Sequence, residues 1–337
     1  MTIFLSIILA LLGGWLIPWL GMKIIMKARF RSGKQQTKNY AGNTVSYGLA
    51  LVWLVWAGVL AAVLIKSTVF MRMLSSMPPS LLELEFVQIA VRVAQSHTIH
   101  NNFFLLAIPL VVSCFFFGWL DDRFGTRGKG GFKGHLKSLK QGKLTTGMIK
   151  VLGIGLTALV VSYLATGHGL GLASLSRLSI FEVFWIMLSL CAIALSANLI
   201  NLFDLRPARA GKVYVAAFLD TAFIVICTKL VVGFVVGLLS VWQIVGTELI
   251  YVLWALGPIF AIWSFDAGER AMLGDAGANP AGALLGLYAV MGLWILLPVY
   301  VIIVFILNML SEKYSFSAII EDVPVLKKLD MLGRPAK

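Results

Sequence analysis

Charged side chains are scarce in this 337-residue chain: Asp, Glu, Lys and Arg make up 13% of it, and hydrophobic residues make up 59%. About 25% of the residues of an ordinary soluble domain are charged. A soluble protein of this length would have too few polar side chains to cover its surface. The composition therefore excludes an ordinary soluble globular protein and favours an integral membrane protein.

Cysteine and histidine are scarce as well, with three and four residues. The cysteines lie inside apolar stretches and lack zinc-site spacing, so they are predicted to be small buried hydrophobes: Cys114, Cys191 and Cys227. No histidine follows position 168, and His135 lies among loop lysines, which favours a solvated side chain over a catalytic one.

Polar stretches long enough for a separate soluble domain are absent, as are internal repeats. Apolar stretches of 18 or more residues recur instead, each long enough to cross a hydrocarbon core of ~30 Å. We expect an all-α, polytopic transmembrane helix bundle, a single integral membrane domain over 1–337 with 311–337 as a short C-terminal tail. The eight spans expected are approximately 3–22, 45–65, 103–120, 147–166, 180–197, 213–239, 248–264 and 281–310.

Two of these segments need comment. The segment 3–22 has no basic residue before it and exceeds the 7–15 residues of a signal-peptide core, so we expect a retained span. The segment 281–310 is about 30 residues, or ~45 Å as a helix, and contains Pro298. It is therefore tilted, kinked or split into a short hairpin, which makes nine spans the alternative.

Basic residues are concentrated in alternate loops. The loop after the first span has no acid, and the loop after the third is equally basic. The positive-inside rule places these loops in the cytoplasm and the N-terminus outside. Most of the net charge of +13 then lies at one membrane face, the basic face. Topology alone explains such a bias, and a site that collects phosphate anions is the alternative.

Carboxylates and amides end three odd-numbered spans and therefore emerge at the basic face: Asp121 and Asp122; Asn198, Asn201 and Asp204; Asp266, Glu269 and Asp275. Such groups at a membrane boundary are unfavourable unless paired or bound to a cation. Their oxygens suit Mg²⁺, with Mn²⁺ as an alternative, and an adjacent aspartate pair can also act as a base. The simpler interpretation is that they cap helices and pair with arginines.

A glycine-bounded aspartate starts the last apolar segment, in Gly274-Asp275-Ala276-Gly277. At a helix N-terminus, such a sequence lets backbone N–H groups approach a phosphate while the carboxylate holds its metal.

The ordered motifs resemble the polyprenyl-phosphate N-acetylhexosamine-1-phosphate transferases, the MraY/WecA superfamily or glycosyltransferase family 4, of which the chain would be a divergent member. Five segments carry the resemblance: Lys38–Asn43 with Gly48, Gly118–Asp122 as G-x-x-D-D, Lys143–Lys150, Asn198–Asp204 as N-x-x-N-x-x-D, and Met272–Ala278 as M-G-D-x-G-S.

This resemblance implies transfer of a sugar-1-phosphate from a nucleotide sugar, usually UDP-linked, to a polyprenyl phosphate, which starts a cell-envelope glycan at the inner membrane. Asp275 and Asn201 would bind Mg²⁺. Asp121 and Asp122 would engage or deprotonate the lipid phosphate. Asp204 would face the nucleotide or diphosphate, together with the other candidate substrate-binding residues, Asn198, Lys133, Lys143, Arg206 and Arg209.

Two departures from the family pattern bear on specificity. Asp204 is followed by Leu205-Arg206-Pro207-Ala208-Arg209 instead of a glycine-rich continuation with a second aspartate, and a late histidine-rich loop is absent. Arginine binds phosphate in a bidentate manner, so this loop can still hold a diphosphate. The base or sugar of the donor can nevertheless differ.

Two other functional classes remain open. The altered motif favours a non-catalytic scaffold or flippase partner that binds a lipid phosphate. A secondary transporter is disfavoured because the polar residues lie at one face instead of the midplane. The expected partners are a polyprenyl phosphate, a nucleotide sugar and the membrane, with no nucleic acid; a homodimer is the candidate assembly.

Overall fold

The computed structural model describes residues 2–32, 36–38, 42, 44–75, 101–125, 145–167, 178–236 and 240–334. Its helices are α1 (Thr2–Leu11), α2 (Ile17–Ser32), α3 (Leu51–Ser75), α4 (Asn101–Phe124), α5 (Thr146–Ala165), α6 (Ile180–Leu202), α7 (Arg209–Val236), α8 (Val241–Asp266), α9 (Asp275–Gly292), α10 (Leu297–Ser311), α11 (Phe316–Asp322) and α12 (Pro324–Met331). A π-helical turn over Leu12–Leu16 joins α1 to α2.

Seven helical segments of the described chain are long and apolar enough to cross a membrane: Ile3–Phe30, Leu51–Val69, Asn102–Phe124, Thr146–Ala165, Ile180–Leu202, Arg209–Gly233 and Val241–Asp266. Each matches one of the first seven predicted spans, although most of them extend further. The prediction of an all-α polytopic membrane protein is confirmed.

The predicted last span, 281–310, is divided into α9 and α10. Gly282 lies against Ser196 and Ala197 of α6, and Gly286 lies against Ile193, so α9 runs antiparallel to α6. The Asn308 side chain near the end of α10 donates to the Leu195 carbonyl, 3.1 Å away, which brings that end back to the level of the end of α6. The predicted span is therefore split into two helices, with Pro298 at the start of α10. The described chain has seven membrane-crossing segments, or eight if α10 and α11 form one bent span, so the alternative of nine spans is not reached.

Helix α9 is the centre of the bundle, with 15 of its 18 residues buried. It packs mainly against α4 and α6. Alanines and glycines at the contacts allow the backbones to approach closely, as is common between membrane helices. A Cβ atom at Gly282 would lie 2.1 Å from the Ser196 carbonyl oxygen.

A three-stranded sheet lies outside the helix bundle and was not expected for an all-α protein. Strands β1 (Gln36–Lys38) and β2 (Thr44–Tyr47) are antiparallel, and β2 pairs in parallel with β3 (Ala271–Met272). The Ser46 N–H also donates to the Arg270 carbonyl at 3.3 Å. The sheet therefore connects the first basic loop to the residues that precede Gly274.

Replacement of Gly282 by alanine should separate α9 from α6, because the new methyl group meets backbone and not a movable side chain. We expect a loss of about 1–3 kcal/mol of stability, read as a lower midpoint of thermal unfolding in detergent. Gly155→Ala is the matched control, since a Cβ there meets nothing within 4 Å. An unchanged midpoint for Gly282→Ala would contradict the packing described.

Candidate functional site

The side chain of Asp122 caps the N-terminus of α9. Its Oδ1 atom accepts from the Asp275 N–H at 3.1 Å, and its Oδ2 atom accepts from the Ala276 N–H at 2.9 Å. Negative charge at a helix N-terminus is stabilised by the free N–H groups and the helix dipole. Gly118 allows this contact, because a Cβ atom there would lie 2.6 Å from the Asp275 carbonyl oxygen. The G-x-x-D-D segment thus lies directly on the start of α9.

Lys150, in the second turn of α5, joins two of the candidate aspartates. Its Nζ atom lies 2.9 Å from Asp121 Oδ2 and also pairs with Asp275 Oδ2. The Thr146 hydroxyl donates to Asp121 Oδ1 at 2.6 Å. Lys150 was not among the site residues predicted from the sequence. The available signal was a lysine inside an apolar span, a position where an ionisable residue usually has a partner or a function.

Asp204 lies in the turn that follows the end of α6 at Leu202 and is partly buried. Its carboxylate accepts a hydrogen bond from the Gly274 N–H, so it faces the same segment as Asp122. A cleft beside it is lined by Asp204, Leu205, Arg206, Pro207, Asp266, Met272 and Leu273. Asp266 is buried and accepts from the N–H of Ala208, whose φ of 57° is unusual for a residue with a side chain.

Among the residues that the structure describes here, carboxylates outnumber the cations that pair with them. Burial and the neighbouring carboxylates of Asp266 and Asp275 raise the pKa of Asp204 well above its usual range. Burial also raises the pKa of Asp275, against the opposing effect of Lys150. Both shifts follow from taking carboxylates out of water and placing them together. Binding of a cation would relieve this repulsion.

The side chains offer suitable donors for Mg²⁺, although no three His, Cys, Asp or Glu side chains of the described segments form a ready ligand group. Mg²⁺ keeps several waters and often uses only one or two carboxylates plus substrate phosphates. The Oδ1 atom of Asn201, one turn before Asp204, is buried without a hydrogen-bond partner in the described structure. A buried amide oxygen without a partner fits the preference of Mg²⁺ or Mn²⁺ for oxygen ligands.

Two predicted substrate ligands point elsewhere. Asn198 donates from Nδ2 to Asn308 Oδ1 of α10 at 2.7 Å. Arg209 is 3% exposed; its Nε and Nη2 atoms donate to the Asp330 carboxylate at 2.8 Å each, and Nη1 donates to the Ser317 hydroxyl. In this structure both side chains are engaged with segments that follow α9, so their predicted roles as substrate ligands stay predictions.

Arg206 makes a looser contact, since its Nη2 atom donates to Glu321 Oε1 at 2.8 Å and both side chains are partly exposed. It remains beside the cleft. Lys133 and Lys143, also predicted to bind substrate, lie outside the described residues, as does most of the segment Lys38–Asn43.

Comparison with known proteins does not identify a family for this chain. No protein-family model matches the chain, and no curated protein matches it either. The function of the chain is therefore inferred from the geometry of the acidic cluster and from the sequence motifs.

Replacement of Lys150 by methionine should leave Asp121 and Asp275 without their shared cation. Removal of one partner of a buried ion pair costs about 3–5 kcal/mol, so we expect a clearly lower midpoint of thermal unfolding. Arg123→Met, an exposed basic residue at the end of α4, is the control. The double variant Lys150→Met/Asp121→Asn should recover part of the loss; strictly additive effects would show that the pair is not coupled.

The raised pKa of Asp204 predicts a pH-dependent stability difference between the wild type and Asp204→Asn. The folded state favours protonated Asp204, so this group stabilises the fold below its unfolded pKa, and that contribution is lost as the pH rises through the folded pKa. Asparagine keeps an acceptor for the Gly274 N–H without the charge. Asp204→Asn should therefore be the more stable protein at neutral pH, and the difference should shrink in acid. Thermal unfolding from pH 4 to pH 8 measures it, and a constant difference would contradict the assignment.

Proposed function

We propose that the chain is a Mg²⁺-dependent phosphoglycosyl transferase of the inner membrane. It transfers a sugar-1-phosphate from a nucleotide sugar, UDP-linked in our proposal, to a polyprenyl phosphate at the cytoplasmic face and starts a cell-envelope glycan. The observation that carries the proposal is the convergence of Asp121, Asp122, Asp204 and Asp275 on the N-terminus of α9. Three segments far apart in the sequence contribute them.

The proposed reaction breaks one phosphorus–oxygen bond and makes another. An oxygen of the lipid phosphate attacks the β-phosphorus, and the nucleoside monophosphate leaves with the bridging oxygen. The products are a lipid diphosphate sugar and the nucleoside monophosphate. Asp275 and Asn201 would hold Mg²⁺, which neutralises negative charge that spreads over the transferred group.

The side chains around α9 fit distinct roles in this proposal. Asp121, oriented by Thr146 and Lys150, would accept a proton from the lipid phosphate or position it. Asp122 would hold the start of α9 in place through its two backbone contacts. Asp204 and Arg206 line the cleft and would face the nucleotide and its diphosphate. Arg209 has no part, because Asp330 and Ser317 already bind it.

A second candidate is a non-catalytic scaffold or flippase partner that binds a lipid phosphate. Lys150 forms ion pairs with both Asp121 and Asp275. Arg206 and Arg209 pair with carboxylates of the C-terminal segment. These contacts favour a static role for the same groups. Lipid binding that survives metal chelation and Asp122→Asn, without turnover, would support this candidate.

The enzymatic proposal predicts a chloroform-soluble, radiolabelled product when the purified protein receives UDP-sugars, undecaprenyl phosphate and Mg²⁺. Asp275→Asn should lower the rate about 100-fold or more, the range seen when one group that stabilises the transition state is removed. Asp322→Asn, an exposed carboxylate at the end of α11, should retain the rate. Chelation should abolish turnover, and added Mg²⁺ should restore it.

The proposal fails if no nucleotide sugar gives a product while Asp275→Asn supports the same cellular phenotype as the wild type. If the product forms equally well in the presence of a chelator, the metal has no part in the reaction, whereas the proposed transfer itself still stands.

A further inference from the structure

Helices α11 and α12 leave the bundle at the basic face. The direction of α11 differs from that of α10 by 87°. Because α10 runs along the bundle to the level of the end of α6, α11 turns across the bundle end. Helix α12 has eight residues, a length of ~12 Å, which is too short to cross a bilayer.

Helix α12 is held to the bundle by its polar side. Asp330 receives the bidentate contact from Arg209 and a further donor, Arg334 Nη2, at 2.8 Å. The Lys212 ammonium donates to the Leu329 carbonyl at 3.1 Å and to the Asp330 carbonyl. These arginines and lysines hold the pKa of Asp330 below its usual range, although its partial burial acts in the opposite direction. Since Arg209 and Lys212 start α7, α12 is anchored to the first turn of a membrane span.

The apolar side of α12 is turned away from these contacts. Val325, Leu329 and Leu332 are 68%, 52% and 56% exposed, and their spacing of four and three residues places them on one face. A surface helix of a soluble protein has the opposite arrangement, with its apolar face toward the core. Something apolar must therefore cover this face in the functional protein.

The position of α12 indicates what covers it. Gly333, just after the helix, packs beside the indole nitrogen of Trp263. Trp263 lies three residues before the end of span Val241–Asp266 and lines an apolar groove on the outside of the bundle with Leu256 and Phe260. Tryptophan near the end of a span is typical of the membrane–water interface. The C-terminal end of α12 therefore lies beside the end of a membrane span, at the level expected for the lipid headgroups.

The charges on α12 fit the same surroundings. Lys328 is exposed and, three residues after Val325, lies beside the apolar face. Lysines beside a buried apolar face extend toward phosphate headgroups while their methylene stems remain in the interface.

From this placement we infer that α12 is an in-plane helix that binds the anionic lipid surface at the basic face. Val325, Leu329 and Leu332 insert among the headgroups and upper acyl chains, as in other interfacial amphipathic helices. On the opposite side of α12, Asp330 binds Arg209. Arg209 is three residues from Arg206, which lines the cleft. The loop that carries Asp204 is thus fixed to the bilayer surface. The inference does not depend on the proposed enzymatic reaction.

The test uses the full chain in phosphatidylglycerol-containing nanodiscs. Cys191 and Cys227 are replaced by alanine, whereas Cys114 is fully buried and is retained, with the unsubstituted background as the labelling blank. A small fluorophore is attached to Val325→Cys, Leu329→Cys or Lys327→Cys, the last being the control on the polar side of the same helix. Lipid with a nitroxide near the headgroup and aqueous iodide are the two quenchers.

Labels at 325 and 329 should be quenched by the lipid nitroxide at least about twofold more than the label at 327, and iodide should show the reverse order. Equal iodide quenching at the three positions would overturn the inference, because the apolar face would then lie in water. Transfer between labels on two copies, without quenching by lipid, would also overturn it and assign the face to a second copy of the chain. Each labelled protein must elute and unfold like its background; where one does not, Leu332→Cys replaces it.

Discussion

The contact between the Asp122 carboxylate and the start of α9 is the constraint on which the site depends. The first N–H groups of any helix lack partners within the helix. Helix α9 begins inside the protein, where water cannot supply them all, and an unsatisfied buried N–H costs about 1–3 kcal/mol. Asp122 satisfies the N–H groups of Asp275 and Ala276, and Asp204 satisfies that of Gly274. Asp122 and Asp204 are brought together because they close the end of one helix.

The same solution leaves an electrostatic problem. Carboxylates from α4, from the loop after α6 and from α8 and α9 lie close together, and within the described segments Lys150 pairs with two of them, Asp121 and Asp275. A structural cap alone would need one carboxylate, not five. An arrangement that destabilises the folded state through repulsion is typical of a functional site whose natural ligand is cationic. The helix-capping interpretation and the functional one therefore apply to different members of the cluster: Asp122 and Asp204 close the start of α9, whereas Asp121 and Asp275 are not explained by capping.

Hydropathy was sufficient to predict the spans, because a segment in lipid must satisfy its own backbone and a helix does so locally. Alternation of the spans also predicted that Asp122 and Asp275 emerge at one face. The partners of single side chains could not be predicted in this way. Asn198 meets Asn308 and Arg209 meets Asp330, 110 and 121 residues further along the chain, through the path of α10 to α12, which carries no motif. The i, i+3, i+6 spacing of Asn198, Asn201 and Asp204 predicted one shared helix face. Helix α6 ends at Leu202, so Asp204 lies beyond the helix.

The two arginines that distinguish this chain from the family pattern have different physical consequences. The Arg206–Glu321 pair is exposed on both sides, and an exposed ion pair contributes only about 0–1 kcal/mol. Under the proposed function, exchange of that carboxylate for a phosphate would therefore cost little. Arg209 is buried, and its guanidinium group already makes a bidentate contact with the Asp330 carboxylate. Separation of the pair would leave both the Arg209 guanidinium and the Asp330 carboxylate buried without a partner, which is strongly unfavourable. The altered sequence after Asp204 thus separates into one arginine in a partly exposed ion pair beside the cleft and one that fixes the loop to α12.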